Sequence, residues 1–170
     1  SLSFFKSSSQ SLLLLLLLKN SKPRQVVARS VARELVQVRE TGATIALKRF
    51  GDASQKDIFP VSKKGLGTIA SNITKAAESA KASTSSVSEA IKIIKPHIDR
   101  AAETEVFVGH NTQVIKQAQK DNQKVRWDAT LDSKTCEACR SRNGNVYLVD
   151  ELIDPPPKHP KCRCILIPVD

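Results

Sequence analysis

The sequence predicts an α+β chain: a mainly helical N-terminal part followed by a small antiparallel sheet and a Cys/His cluster at the C-terminus. Three observations lead there. Apolar residues recur at helical spacing up to about residue 120, and from Val125 onward they alternate with a period of two. All four Cys and one of the three His fall within residues 136–164. These changes of texture divide the chain into an N-terminal docking arm (1–25), a helical region (26–121) and a C-terminal Cys/His module (122–170).

The arm contains seven consecutive leucines, Leu12–Leu18, with Lys6 before them and Lys19, Lys22 and Arg24 after. Seven apolar residues are too few to cross a hydrocarbon core, which takes about 20 in a helix. A secretory signal would share the basic start and short apolar run, but the polar stretch Asn20-Ser21-Lys22-Pro23-Arg24 carries no small-x-small cleavage pattern. A helix apolar on every side must be buried on every side. The Leu run is therefore expected to insert between neighbouring protein chains, or else to lie inside this one.

Composition points the same way. The chain has 170 residues and only 4% aromatics, so its own core is thin. Its net charge is +10, and residues 1–60 carry 10 Lys/Arg against 4 Asp/Glu, which is +6 of that total. A basic arm suits DNA, RNA, an anionic membrane or an acidic protein surface, and equally a solvated tail.

Between Val26 and Ala46, the positions Val27, Val31, Leu35 and Val38 form one helical stripe, which Thr41-Gly42 is expected to punctuate. Residues 48–64 read as a loop. Leu66, Ile69, Ile73, Ala76, Ala77 and Ala80 form a second stripe on a thin helix. Ser86-Val87-Ser88-Glu89 matches a capping box, with Ser86 as N-cap. The helix it starts is expected to end, or the next to begin, at Pro96. A further helix follows to about Gln119, and His97 and His110 are expected on helix surfaces.

The C-terminal module opens with Val125-Arg126-Trp127-Asp128-Ala129-Thr130-Leu131, which alternates like a strand. Asn143-Gly144 signals a tight turn before a second strand, Val146–Val149. Pro155-Pro156-Pro157 reads as a stiff connector. Ile165–Val169 reads as a third strand, with Pro168 suited to an edge.

The cysteines fall as Cys136-x2-Cys139 and then His159-x2-Cys162-x-Cys164. Zinc takes four N/S ligands in a tetrahedron, and a C-x2-C turn supplies two thiolates at suitable spacing. Four of the five residues Cys136, Cys139, His159, Cys162 and Cys164 would then be metal ligands. Disulfides are the alternative, as four Cys allow three pairings; reduced thiols are the third. Each of the first two would staple a module too small for a core of its own. A thiol nucleophile or metal nuclease is disfavoured, because no third orienting group is placed in sequence. No catalytic residue is assigned, and the chain is expected not to be an enzyme.

Trp127, then Asp132-Ser133-Lys134-Thr135-Cys136-Glu137-Ala138-Cys139, then Asn143-Gly144-Asn145-Val146-Tyr147, then Pro156-Pro157-Lys158-His159-Pro160-Lys161-Cys162-Arg163-Cys164 resembles the phage Mu F-like minor capsid, or head morphogenesis, proteins. Their usual form is W…D…C-x-x-C…G…PP-x-HP-x-CRC. Upstream, Thr104, Glu105 and Asn111 match the family's R-T-E…N helix, with Glu103 at the Arg position. The resemblance covers about residues 96–170. It implies a structural minor head protein of a tailed phage, located in the virion and associated with the portal protein, the major capsid protein and the packaged DNA. It would act in capsid assembly or DNA packaging and ejection. The rival is a free-standing zinc-stabilised nucleic-acid-binding protein. It fits less well, because residues 122–170 carry 8 basic against 7 acidic residues and a DNA-reading finger is usually basic itself.

Overall fold

The computed structural model describes residues 24–51, 58–60 and 62–170. The Leu12–Leu18 run, and nearly all of the arm that contains it, lie outside the described residues. Among the described residues three helices come first: α1 (Arg24–Phe50), α2 (Leu66–Ser83) and α3 (Val87–Lys120). The C-terminal module then contributes β1 (Lys124–Asp128), the one-turn helix α4 (Glu137–Arg140), β2 (Val146–Leu148) and β3 (Ile165–Val169). The expected α+β class holds. Among the described residues no helix is long and apolar enough to cross a membrane.

The chain forms two compact units. One comprises Ser62–Ala102 with the described part of Ser1–Gln37; the other comprises Val38–Val61 with Glu103–Asp170.

The first unit is held by the stripes read from the sequence. Val27, Val31 and Leu35 of α1 join Leu66, Ala70, Ile73, Ala77 and Ala80 of α2, and Ala90, Ile94 and Ile98 of α3. The many alanines let the helices pack closely but contribute little area. The larger side chains, such as Ile94 and Leu35, supply about 1.5–3 kcal/mol each. Ile69 and Ala76, placed on the same stripe, are only partly buried.

Helix α3 starts as its capping residues dictate. The Glu89 N–H donates to Ser86 Oγ at 3.2 Å, while the Glu89 carboxylate accepts from the Ser85 hydroxyl, also at 3.2 Å. Pro96 neither ends this helix nor starts another: α3 runs through it. The carbonyl that loses its partner there belongs to Lys92. Both residues are exposed, so water can satisfy it.

The second unit begins where α1 meets the later part of α3. Gly42 does not punctuate α1. A Cβ on Gly42 would strike the Val106 carbonyl, and one on Gly109 would strike the Arg39 carbonyl. The two glycines let the helix backbones touch, so α1 continues to Phe50. At the same crossing Arg39 and Glu105, both buried, form an ion pair.

The sheet of this unit has the order β2-β1-β3, antiparallel throughout. Val125 pairs with Tyr147 on one side and Pro168 on the other, and Trp127 pairs with Leu166. Pro168 sits on an edge strand, where its missing N–H costs no ladder bond. Gly144 adopts φ 83° at the expected turn. Its N–H donates to the Trp127 carbonyl at 2.8 Å. The core beneath the sheet comprises Val125, Trp127 and Leu166 with Ala46, Val114, Ala118 and three of the cysteines.

Candidate metal centre

The first half of the centre is a one-turn knuckle. Cys136 is the N-cap of α4, and its carbonyl accepts N–H bonds from Cys139 at 3.1 Å and Arg140 at 3.0 Å. The turn leading into it is set by Asp132, whose carboxylate accepts the Lys134 N–H at 2.9 Å, with Thr135 Oγ1 3.1 Å away. Short polar side chains of this kind close turns that a helix or strand would otherwise compete for.

The second half arrives through the prolines, where the Pro156–Pro157 bond is cis and Pro156 is buried. Beyond them the Cys162 N–H donates to the His159 carbonyl at 3.0 Å, which closes a turn around Lys161 at φ 63°. Helix α3 anchors this loop. The Lys161 N–H donates to Thr104 Oγ1 at 3.3 Å. The Asn111 amide donates to the Pro156 carbonyl at 3.1 Å and the Cys164 carbonyl at 3.2 Å, and its oxygen accepts the Leu166 N–H at 2.8 Å. Asn111 is 1% exposed, and its oxygen also pairs with His110 Nδ1 at 3.2 Å, so all four of its bonding positions are satisfied away from water.

These supports bring all five expected donors to one pocket, which Lys134, Lys161 and Arg163 also line. His159 Nε2 lies 3.3 Å from both Cys136 Sγ and Cys139 Sγ. Cys139 Sγ lies 3.7 Å from Cys162 Sγ. The donor atoms of Cys136, Cys139 and His159 lie within 4.8 Å of one another, and so do those of Cys139, Cys162 and Cys164. Cys139 belongs to both groups. All four thiols are free, and all but Cys136 are buried.

The electrostatics differ from one sulfur to the next. The Cys139 N–H bonded to Cys136 Sγ lowers the pKa of that thiol. Burial pushes Cys162 up, but N–H groups of Cys164 and Lys158 on its sulfur outweigh burial and bring it down. Burial pushes Cys139 and Cys164 up. His159 is raised, first by the bond from its ring to the Pro160 carbonyl. Soft thiolates with an imidazole are the donor set of zinc rather than of calcium or magnesium. Sulfurs about 2.3 Å from a tetrahedral zinc stand roughly 3.7 Å apart, close to the spacing of Cys139 and Cys162. The cluster could hold a metal ion.

Other residues of the site carried no role in the sequence reading. Arg163 forks onto Asp132 with both Nη atoms at 2.6 Å. The sequence marked it only as the middle residue of Cys162-Arg163-Cys164 in the family motif. Asn111 and Thr104 stood out only through the family motif, and Arg39 had no signal, lying 66 residues from its partner Glu105. His110, expected on a surface, is 5% exposed. It packs edge-on against Phe50, with ring centroids 5.9 Å apart, because the Gly109 contact draws this face of α3 against α1.

A three-stranded sheet anchored on a helix, with four Cys and one His gathered in one pocket, defines a small α+β module with a Cys/His cluster. The Phage Mu protein F like family model matches residues 67–167, and the chain belongs to that family. No curated protein and no solved structure matches. Membership implies a phage head morphogenesis protein, a virion component with capsid-related partners. Proteins of this kind are in general structural.

Proposed function

We propose that this chain is a structural minor head protein of a tailed phage, associated with the portal vertex and acting in capsid assembly or in DNA packaging and ejection. The observation that carries the reading is the family match over residues 67–167. In this reading it assembles in the host cytoplasm and contacts the portal and major capsid proteins. Its three parts are the arm (1–25), the helical region (26–121) and the Cys/His module (122–170). The arm docks the protein through Leu12–Leu18, and its basic residues face packaged DNA or an acidic portal surface. Zinc staples the module by joining the Cys136–Cys139 knuckle to the loop that carries His159, Cys162 and Cys164.

The experiment is to purify phage heads and detect the chain in them, then to repeat this with residues 1–24 deleted. The full chain is expected in heads together with portal protein, and the truncated chain is expected in the soluble fraction. Absence of the full chain from heads would overturn the proposal. Normal incorporation of the truncated chain would overturn the role of the arm.

A further inference from the structure

One face of the sheet covers the core through Val125, Trp127 and Leu166. Alternation puts their strand neighbours on the opposite face: Lys124, Arg126 and Asp128 of β1, Val146 and Leu148 of β2, and Ile165, Ile167 and Val169 of β3. The register sets six of these in two rows, Leu148-Lys124-Val169 and Val146-Arg126-Ile167. Each row is a cation between two aliphatic side chains. Val146 is 51% exposed and Leu148 49%, and the three β3 residues are half-buried. None of the five aliphatics belongs to a core cluster or packs against one. Lys124 and Arg126 are exposed, and neither enters an ion pair among the described residues. Aliphatic surface of this kind, with arginine in it, marks a protein interface.

The layout restricts what can cover it. A surface that lies on a bilayer buries an apolar centre and lifts its cations to the rim; here the cations form the central line. Single-stranded nucleic acid is held by stacking on aromatic side chains. This face has none, since Tyr147 lies opposite Val125 on the core side. A second copy of the face would bring two more cations and only one more carboxylate, Asp128, leaving an excess of positive charge. The first 23 residues of the chain contain Leu12–Leu18, but also three Lys and no Asp or Glu.

The complement is a protein element with carboxylates between apolar side chains. Lys124 and Arg126 are two residues apart on a strand, about 6.7 Å. Positions i and i+4 of an α-helix are about 6 Å apart along its axis. The flanking strands lie about 4.8 Å to either side, within the radius of a helix with its side chains, about 5–6 Å. We propose that this face docks an amphipathic α-helix of a partner protein, laid along β1. Its Asp or Glu residues at i and i+4 sit over Lys124 and Arg126. Its aliphatic side chains cover Val146 and Leu148 on one flank and Ile167 and Val169 on the other.

The test titrates the full chain, followed by heteronuclear NMR, with two synthetic helical peptides. One carries Glu at i and i+4 between columns of Leu, and the other carries Lys in place of Glu. The Glu peptide is expected to bind saturably and to shift the amides of β1, β2 and β3, and the Lys peptide is not. K124E/R126E should weaken the Glu peptide by about tenfold or more and should gain binding of the Lys peptide, a rescue that an unfolded variant could not show. Equal affinity of wild type for both peptides would overturn the proposal, as would no saturable binding of the Glu peptide or binding unchanged in K124E/R126E. Shifts on this face from a thymidine oligonucleotide or from phosphatidylglycerol vesicles, but not from the Glu peptide, would overturn it in favour of those partners. Self-association of the wild-type chain that K124E/R126E abolishes would place a second copy there and overturn it too.

Discussion

Arg163 holds Asp132 through a two-pronged contact, Nη1 to Oδ2 and Nη2 to Oδ1, each at 2.6 Å. One partner lies between Cys162 and Cys164 and the other opens the turn into Cys136. The pair therefore joins the two halves of the Cys/His cluster without supplying a donor atom to it. Geometry of this kind belongs to arginine, since lysine carries its charge at a single point.

This pair sets an acid dependence. Arg163, followed by the Lys134 N–H, holds the Asp132 carboxyl well below the usual carboxylate range. The folded value lies below the unfolded one, so the contribution is complete above about pH 4 and fades as pH falls through the folded value. Denaturation of the metal-free chain, followed against pH, should show wild type losing stability below about pH 4 more steeply than D132N. Parallel curves would mean that the contact does not stabilise the module. R163K should resemble D132N at neutral pH, because it retains the charge but loses the fork.

Asn111 is the connection between α3 and the cysteine loop. Replacing it with Ala orphans the Pro156 and Cys164 carbonyls and the Leu166 N–H in a buried setting. Each orphaned group costs about 1–3 kcal/mol. N111A should lower the denaturant midpoint of the C-terminal module and speed zinc loss to a chelator. An unchanged midpoint would show that water replaces the amide.

Gly109, at the α1–α3 crossing of the second unit, contrasts with Gly67 on α2. At Gly109 an added Cβ meets the Arg39 carbonyl, whereas at Gly67 on α2 it meets nothing within 4 Å. G109A should destabilise by about 1–3 kcal/mol through overpacking, and G67A should stabilise by about 0.5–1 kcal/mol. Thermal unfolding of the two variants reads the contrast, and equal shifts would contradict the close contact.

His110 carries a second pH dependence, of the same sign but at milder pH. Burial lowers its pKa below 6.5, against a raising bond to Asn111. The unfolded chain therefore binds the proton first as pH falls. The stability contributed by neutral His110 is complete above pH 6.5 and is lost as pH drops from there through the folded value. Between pH 7.5 and 5, wild type should lose more of its melting temperature than H110Q, both measured with the same metal content. A steeper loss in H110Q would reverse the sign and refute the assignment.

Much of this protein is legible residue by residue. The stripes Val27-Val31-Leu35 and Leu66-Ile73-Ala77-Ala80 follow from the 3.6-residue period, and the strands around Trp127, Tyr147 and Leu166 from the two-residue period. Ser86 starts α3 because its hydroxyl accepts a helix-terminal N–H wherever the helix is placed. The C-x2-C and H-x2-C-x-C spacings mark the five candidate donors, since short turns dictate which side chains share a side. Tertiary structure decided the rest, because it depends on partners distant in sequence. Gly42 resembles a helix stop until Val106 is packed against it, and His110 resembles a surface residue until α1 covers it. Glu105 and Asn111 are polar residues on a helix until Arg39 reaches one and Pro156, Cys164 and Leu166 close on the other. Period and capping are properties of the local backbone; burial of a polar group is a property of whatever lies opposite, and only the folded chain supplies that.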